Sequence, residues 1–401
     1  MQSKTIIDVL SNETISKFIQ EHLKGDAKKL ALATKKYPNY NLQVISSLIS
    51  VLQKAEIKLP EHYKNLAAFN QKSYGQCTSE AVAVYKASIM GVKNKTIINL
   101  TGGIGIDDWA MSDQALKIDS CEIDHDIHSM AKYNLSLFNI NNVTRHFGDG
   151  IAFIKTHETA DILYVDPDRR PNAGRVFRIE DSEPDVISNM PLFLEKAEYV
   201  WLKLSPMADI TYVLKSFPTT IALYVIAWLG EVKELLICCS NKSNAAVKKV
   251  AVNIGTKSLF AFEDHSNNPC VSFSNIGQYL YEPNKAIIKA ELSADYATSC
   301  NLHLLSTNSH FFISDHLVPN FYGRTFKIIE RLLYKPKTLK TYLAKNKIFQ
   351  ANITTRNFRE SSEELKVRFR LKDGGATYLC FTIDQEGHNW LYHCHQILTK
   401  D

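Results

Sequence analysis

The chain has 401 residues, 45% of them hydrophobic and 22% charged, with only 16 glycines and 12 prolines. At roughly 100–200 residues per domain that length makes two to four domains, and the composition excludes a disordered tail or a fibre. The net charge of +5 excludes little by itself, but its placement is uneven: Phe321–Lys372 holds fourteen Lys/Arg against four acids, so the remainder is net acidic.

The longest apolar stretch, Ile221–Gly230, is about half a membrane span. Met1–Leu10 carries Lys4 and Asp8 and no apolar h-region. The expectation is a cytoplasmic protein with no membrane partner. Eight cysteines without a CxxC make no disulfide framework. The trio His393, Cys394 and His395 alternates faces if it lies in a strand, so no metal is expected there.

Residues 1–92 read as helical. Ile6, Val9 and Leu10, then Ile15, Phe18, Ile19 and Leu23, recur at helix spacing, with Ser11 or Thr14 available as a cap. Leu30–Lys35 and Leu42–Lys54 continue the pattern, with Pro38 and Pro60 as breaks. Thr78–Met90 is a further helix that stops at Gly91, capped by Ser79 or Thr78.

From Lys95 strands alternate with helices. Strands are predicted at Thr96–Leu100, Ala115–Ile123, Val143–Phe147, Asp161–Val165, Tyr199–Leu204, Thr220–Ile226 and Glu234–Cys239, with helices at Ile106–Ser112 and Ile127–Phe138. That order means βαβ units and a mainly parallel sheet. After Phe273 the elements shorten. A turn at Glu282–Asn284 interrupts Tyr279–Lys289, Arg324–Ile329 is a strand, and Lys337–Asn346 is a helix begun after Pro336. Lys366–Leu371 and Ala376–Ile383 are predicted to pair as a hairpin around Asp373-Gly374-Gly375. Trp390–His395 is a last strand.

The chemistry concentrates at strand ends, where open α/β sheets bind ligands. Thr101-Gly102-Gly103-Ile104-Gly105-Ile106-Asp107 joins the first strand to its helix, and small residues there let a ligand approach the backbone. Glu122 ends the next strand 19 residues beyond Gly103, near the spacing at which an acid grips a ribose diol. Asp124 is the other candidate. Asp108 occupies the place of the third glycine in G-x-G-x-x-G, which argues against a dinucleotide. Asp107 and Asp108 suit a cofactor with a sulfonium and an amino group, S-adenosylmethionine. Asp149, between Gly148 and Gly150 after the third strand, is placed to accept the adenine amine.

The fourth strand runs into Val165-Asp166-Pro167-Asp168-Arg169-Arg170-Pro171. Asp166 is the candidate base or hydrogen-bond acceptor for a methyl acceptor, and the Pro167 carbonyl a second acceptor. Arg169 and Arg170 suit a substrate phosphate. Lys203 and Ser205, closing the fifth strand, flank the same place, and the turn Gln76-Cys77-Thr78 is a further candidate for cofactor contact. Cys238 and Cys239 read as core. In the basic segment Arg324, Lys335, Lys337 and Lys340 are the candidate phosphate contacts. Aromatics among these cations, Phe321, Tyr322, Phe326, Tyr334, Tyr342, Phe349, Phe358 and Phe369, offer rings for stacking on bases.

INLTGGIGID, SCEIDHDIHSMAKYN, YVDPDRRP, LKLSPMADI, GEVKELL and YLYEPNKAIIKA together resemble the bacterial class I S-adenosylmethionine-dependent methyltransferases with a C-terminal THUMP-like domain. The resemblance implies a Rossmann-like catalytic fold, cofactor contacts at Gly102, Gly103, Gly105, Glu122 and Asp149, and an RNA substrate, tRNA or rRNA. It departs from base N-methyltransferases in having Asp-Pro-Asp-Arg where an aromatic ring usually follows the fourth strand.

The expected architecture is α/β. A helical N-terminal domain covers 1–92, a methyltransferase domain with a mainly parallel sheet 93–275, a small connecting segment 276–320 with a ferredoxin-like fold as candidate, and a basic α+β THUMP-like domain 321–401. The expected activity is methyl transfer to a nucleoside in structured RNA. A small-molecule or protein acceptor, and a non-catalytic RNA-binding protein, are the alternatives. The oligomeric state is left open.

Overall fold

The computed structural model describes residues 3–169, 179–242, 246–256, 258–264 and 271–398. Two compact units result: residues 1–223 with 235–247, and residues 224–234 with 248–401.

The first unit begins with seven helices: α1 (Ser3–Ser11), α2 (Glu13–His22), α3 (Ala27–Leu32), α4 (Leu42–Lys58), α5 (Pro60–Lys64), α6 (Gln71–Gln76) and α7 (Glu80–Met90). Side chains cap most of them; Asn12, not Ser11 or Thr14, accepts the Ile15 N–H at the start of α2. Pro60 opens α5 at its first turn, where no N–H is needed. Gly91, in the left-handed region at φ 65°, ends α7.

The sheet follows: β1 (Thr96–Asn99), α8 (Ile106–Ser112), β2 (Lys117–Glu122), α9 (His125–Leu137), β3 (Val143–Phe147), α10 (Gly150–Thr156), β4 (Ala160–Val165), β5 (Asp168–Arg169), β6 (Ser182–Glu183), α11 (Val186–Lys196), β7 (Ala197–Leu204), α12 (Ile210–Ser216), β8 (Thr220–Trp228) and β9 (Glu231–Cys239). Seven of these strands are neighbours in the order β8-β9-β7-β4-β1-β2-β3, while β5 pairs with β6 in a separate two-stranded sheet. Pairings from β7 to β3 are parallel and β9 joins β7 antiparallel. Order reverses at β1, so the ends of β1, β2 and β4 open one crevice. The N-terminal helices do not form a core of their own. Ile19, Ile45, Leu52 and Phe69 share one cluster with Ile104 and Ile106 of the first βα turn and Ile127 and Met130 of α9. Asn134 of α9 ties this packing to the backbone of Ala68 through both its amide atoms.

The second unit carries the tip of the β8–β9 hairpin, then β10 (Lys248–Ile254), β11 (Leu259–Glu263), β12 (Tyr279–Pro283), α13 (Lys285–Lys289), α14 (Ser293–Ser299), β13 (His303–Leu304), β14 (Phe312–Ser314), β15 (Gly323–Leu333), α15 (Pro336–Lys345), β16 (Asn352–Thr355), α16 (Ser362–Phe369), β17 (Thr377–Ile383) and β18 (Asn389–Ile397). Seven strands form one sheet, β13-β14-β12-β15-β18-β17-β16. The predicted hairpin is corrected here. Lys366–Phe369 belongs to helix α16, and β17 pairs instead with β18 and, in parallel, with β16. Among the described residues no helix is long and apolar enough to cross a membrane.

Candidate active site

A cavity of about 690 Å³ opens at the strand ends of the first unit, within the usual range for a small-molecule site. Thr101–Asp107, Glu122–Asp124, Gly148–Ile151, Asp166–Asp168, Glu183–Asp185 and Lys203 line it, and Lys72, Ser73, Gln76, Cys77 and Thr78 close it from the N-terminal helices.

The glycine turn is built around a buried arginine that sequence reasoning missed. Arg145, from β3, donates to the carboxylate of Asp108 at 2.6 Å, to Ser120 Oγ at 2.8 Å and to the Gly103 carbonyl at 2.8 Å. A Cβ on Gly102 would fall on that guanidinium and on Ser120 Oγ, so only glycine fits. Gly103 and Gly105 hold φ of 51° and 88°, in the left-handed region. Asp108 is 0% exposed and also accepts from Asn99. It braces the turn and does not line the cavity, so its expected role toward a cationic cofactor is corrected. Eight carboxylates and two lysines line the space, which makes it an electrostatically poor place for a polyphosphate.

Glu122 closes the other side of the turn. Its Oε2 accepts the Gly103 N–H at 2.9 Å and its Oε1 the Asp124 N–H at 2.8 Å. The carboxylate is thereby fixed while each oxygen keeps a second lone pair for a ligand. Asp124, the alternative, caps α9 by accepting from the Asp126 and Ile127 backbone. Asp149 caps α10 through the Ile151 N–H and still faces the cavity. Ile123, 68% exposed, and Ile151 add apolar lining.

Asp107 stands deeper. The ammonium of Lys86, 1% exposed, lies 2.9 Å from Asp107 Oδ1 and 2.9 Å from the Tyr164 hydroxyl. Tyr164 Oη and Thr78 Oγ1 donate to Asp107 Oδ2. Burial pushes the Asp107 carboxyl up, and Lys86, Lys203 and Tyr164 more than reverse it, so it is held below its ordinary value. Thr78 therefore serves Asp107, and neither it nor Ser79 caps α7 with its side chain. Burial raises the Cys77 thiol, which favours its uncharged form.

Asp166 and Lys203 form a close ion pair across the adjacent ends of β4 and β7. Thr101 Oγ1 accepts the Asp166 N–H at 2.7 Å, locking the end of β4 to the glycine turn. Gln76 donates to Asp168 at 3.1 Å. The structure thus brings together Thr101, Gly102, Gly103, Gly105, Asp107, Glu122, Asp149, Asp166, Pro167 and Lys203. Ser205 is not among the lining residues; its Oγ accepts the Met207 N–H. Arg170 and the side chain of Arg169 lie outside the described residues.

In the second unit Arg324 and Arg356 both bind the buried carboxylate of Glu282. Arg324 is thus committed to internal structure, whereas Lys335, Lys337 and Lys340 are exposed on and before α15. The expected stacking rings are corrected: Phe321, Phe326 and Tyr334 are core, Tyr342, Phe358 and Phe369 are partly buried, and only Tyr322 and Phe349 are exposed. His393 and Cys394 lie buried in β18. Asp384, Glu386 and His388 bring ligand-type atoms within 4.8 Å of one another. The Asp384 carboxylate, however, is occupied by the N–H groups of Glu386, His388, Trp390 and Asn275, as a loop clasp.

Residues 323–396 match a family described as THUMP domain-like, and residues 279–321 one described as a ferredoxin-like domain. Over 328 residues the chain is 23% identical to an uncharacterised S-adenosylmethionine-dependent methyltransferase of Mycobacterium tuberculosis, found in strains CDC 1551 / Oshkosh and ATCC 25618 / H37Rv, covering 81% of this chain and 86% of the relative. The crystal structure of a candidate methyltransferase from Porphyromonas gingivalis W83 superposes with a TM-score of 0.84 at 26% identity, over 99% of this chain and 100% of that one. By fold and by relatives, the chain is similar to S-adenosylmethionine-dependent methyltransferases of the Rossmann-like class I fold, and its C-terminal part matches a THUMP-like domain.

Proposed function

We propose that the enzyme methylates a nucleoside in structured RNA, tRNA or rRNA, and works in the cytoplasm. The observation that carries the cofactor half of this reading is the fixed Glu122 carboxylate opposite the glycine turn. Glu122 takes the ribose hydroxyls, the Oδ2 of Asp149 takes the adenine amine, and Ile123 and Ile151 flank the ring. Asp107 sets a negative potential for the cationic end. The donor set fits: a cavity rich in carboxylates attracts a sulfonium and an ammonium and repels polyphosphate.

When bound, S-adenosylmethionine supplies an electrophilic methyl that passes in one displacement, its C–S electron pair remaining on sulfur and the acceptor's proton leaving to base or water. The chain's own task is alignment and exclusion of water. Asp166 and the Pro167 carbonyl orient the acceptor, and Asp166 is assigned to receive its proton. Arg169 and Arg170 are assigned to a substrate phosphate, and Lys335, Lys337 and Lys340 with Phe349 to the RNA backbone and an unpaired base. The THUMP-like match and the exposed lysines support RNA as partner. The carboxylate-rich cavity also favours a second reading, a cationic amine on a small molecule or protein.

Incubating the protein with S-adenosylmethionine carrying a tritiated methyl and a whole extract (RNA, protein and small molecules) from cells lacking the gene separates the two. The RNA reading expects label in RNA. Label only in small molecules or protein contradicts it.

A further inference from the structure

We infer that the base presented to this site is guanine, selected by Lys203 and Asp166 acting as one unit; the inference rests on the RNA reading above. Asp166 follows Val165, which is in register with Leu202, so Asp166 and Lys203 lie side by side on neighbouring parallel strands. Their ion pair joins them, and the Thr101 hydroxyl fixes the Asp166 backbone. Both side chains are largely enclosed, 31% and 14% exposed, and both line the cavity. β7 and β4 lie on the far side of β1 from Glu122 and Asp149. The pair therefore occupies the half of the cavity away from the residues assigned to adenosine.

Asp166 Oδ2 already accepts from the Lys203 ammonium, so the unit presents that ammonium beside Oδ1 and the second lone pair of Oδ2, which only accept. Guanine's Watson–Crick edge is the complement: the O6 acceptor, then the N1–H and N2–H donors. It meets the unit at three points. Adenine and cytosine carry one amino group beside ring acceptors and meet it at two. Uracil would turn its O2 carbonyl toward a carboxylate, leaving both oxygens without a proton between them. Asp168 and Glu183 add carboxylates to the lining of the same cavity, whereas Asp185 is engaged in capping α11. An edge rich in N–H groups enters such a space, and an edge rich in carbonyls is held out.

The test identifies the methylated nucleoside. RNA from cells lacking the gene is labelled by the full-length protein and digested to nucleosides, which are then resolved by mass spectrometry. The inference expects the methyl on guanosine. It also expects Lys203→Met to lower kcat/KM for RNA tenfold or more, and by a larger factor than any change in the Kd for S-adenosylhomocysteine measured by calorimetry. A second measurement does not depend on turnover. With the cofactor half filled by S-adenosylhomocysteine, saturation-transfer NMR with each of the four nucleosides should give the strongest signal for guanosine, and Lys203→Met should remove that preference. Label on adenosine, cytidine, uridine or a ribose oxygen would overturn guanine and leave RNA methylation standing. An absence of label in RNA would overturn the reading beneath it and guanine with it.

Discussion

Arg145 and Gly102 show how one residue depends on another in this site. The guanidinium occupies the volume a Cβ on Gly102 would need, and it is the same group that holds the Gly103 carbonyl. Gly102→Ala should displace the turn and weaken S-adenosylmethionine binding at least tenfold by calorimetry; an unchanged Kd would show that the turn tolerates the shift. The buried imidazole of His128 makes a second prediction. Burial, then nearby Arg145, depresses it from 6.5 to about 4. A depressed histidine binds protons more readily unfolded, so its contribution is complete above pH 6.5 and is lost as pH falls toward 4. Melting curves at pH 7 and pH 5 should therefore differ less for His128→Asn than for the wild type; an equal difference would contradict this. At this scale Glu122 and the glycines were legible because each residue type has one strong reason to be where it is. Arg145 and Lys86 were not, because a lone cation in a strand or helix carries no sign of the distant acid it meets.

Among elements, the parallel sheet was readable from apolar runs alternating with helices, and boundaries such as Ile106–Ser112 and Val143–Phe147 agree with the structure. The misread element is α16. The turn signal Asp373-Gly374-Gly375 between two short segments is what points to a hairpin there. The overlooked signal was Ser361-x-x-Glu364, a capping box in which Ser361 Oγ accepts the Glu364 N–H and Glu364 accepts the Ser361 N–H. Leu365 is the side chain this helix buries, while Val367 points to solvent. Ser361→Ala should cost about 1 kcal/mol, read as a lower denaturation midpoint; no change would show the box contributes nothing. The strand β12 was foreseen only as part of Tyr279–Lys289. Its partners β14 and β15 reveal its weight, since it joins the ferredoxin-like and THUMP-like matches in one sheet. Strand partners so distant in sequence leave no periodic trace.

For the whole molecule, charge divides the work. Carboxylates dominate the cavity of the first unit, whereas exposed lysines gather on the THUMP-like part of the second. The composition disclosed that basic segment, but not that Arg324 and Arg356 are spent on Glu282 or that most of its aromatics are core. Replacing Lys335, Lys337 and Lys340 together by Glu should weaken RNA binding and flatten the slope of log affinity against log salt by about 2; an unchanged slope would remove these lysines from the interface. The helices before β1 are not an appendage, since they share a core with α9 and supply Gln76, Cys77 and Thr78 to the cavity wall. The central claim is that this cavity holds S-adenosylmethionine, with Glu122 opposite the glycine turn. Calorimetric titration of the wild type and of Glu122→Ala with that cofactor tests it most directly. One molecule bound per chain, with affinity falling at least tenfold in the variant, is the expected result; no binding, or equal binding by both proteins, would contradict it.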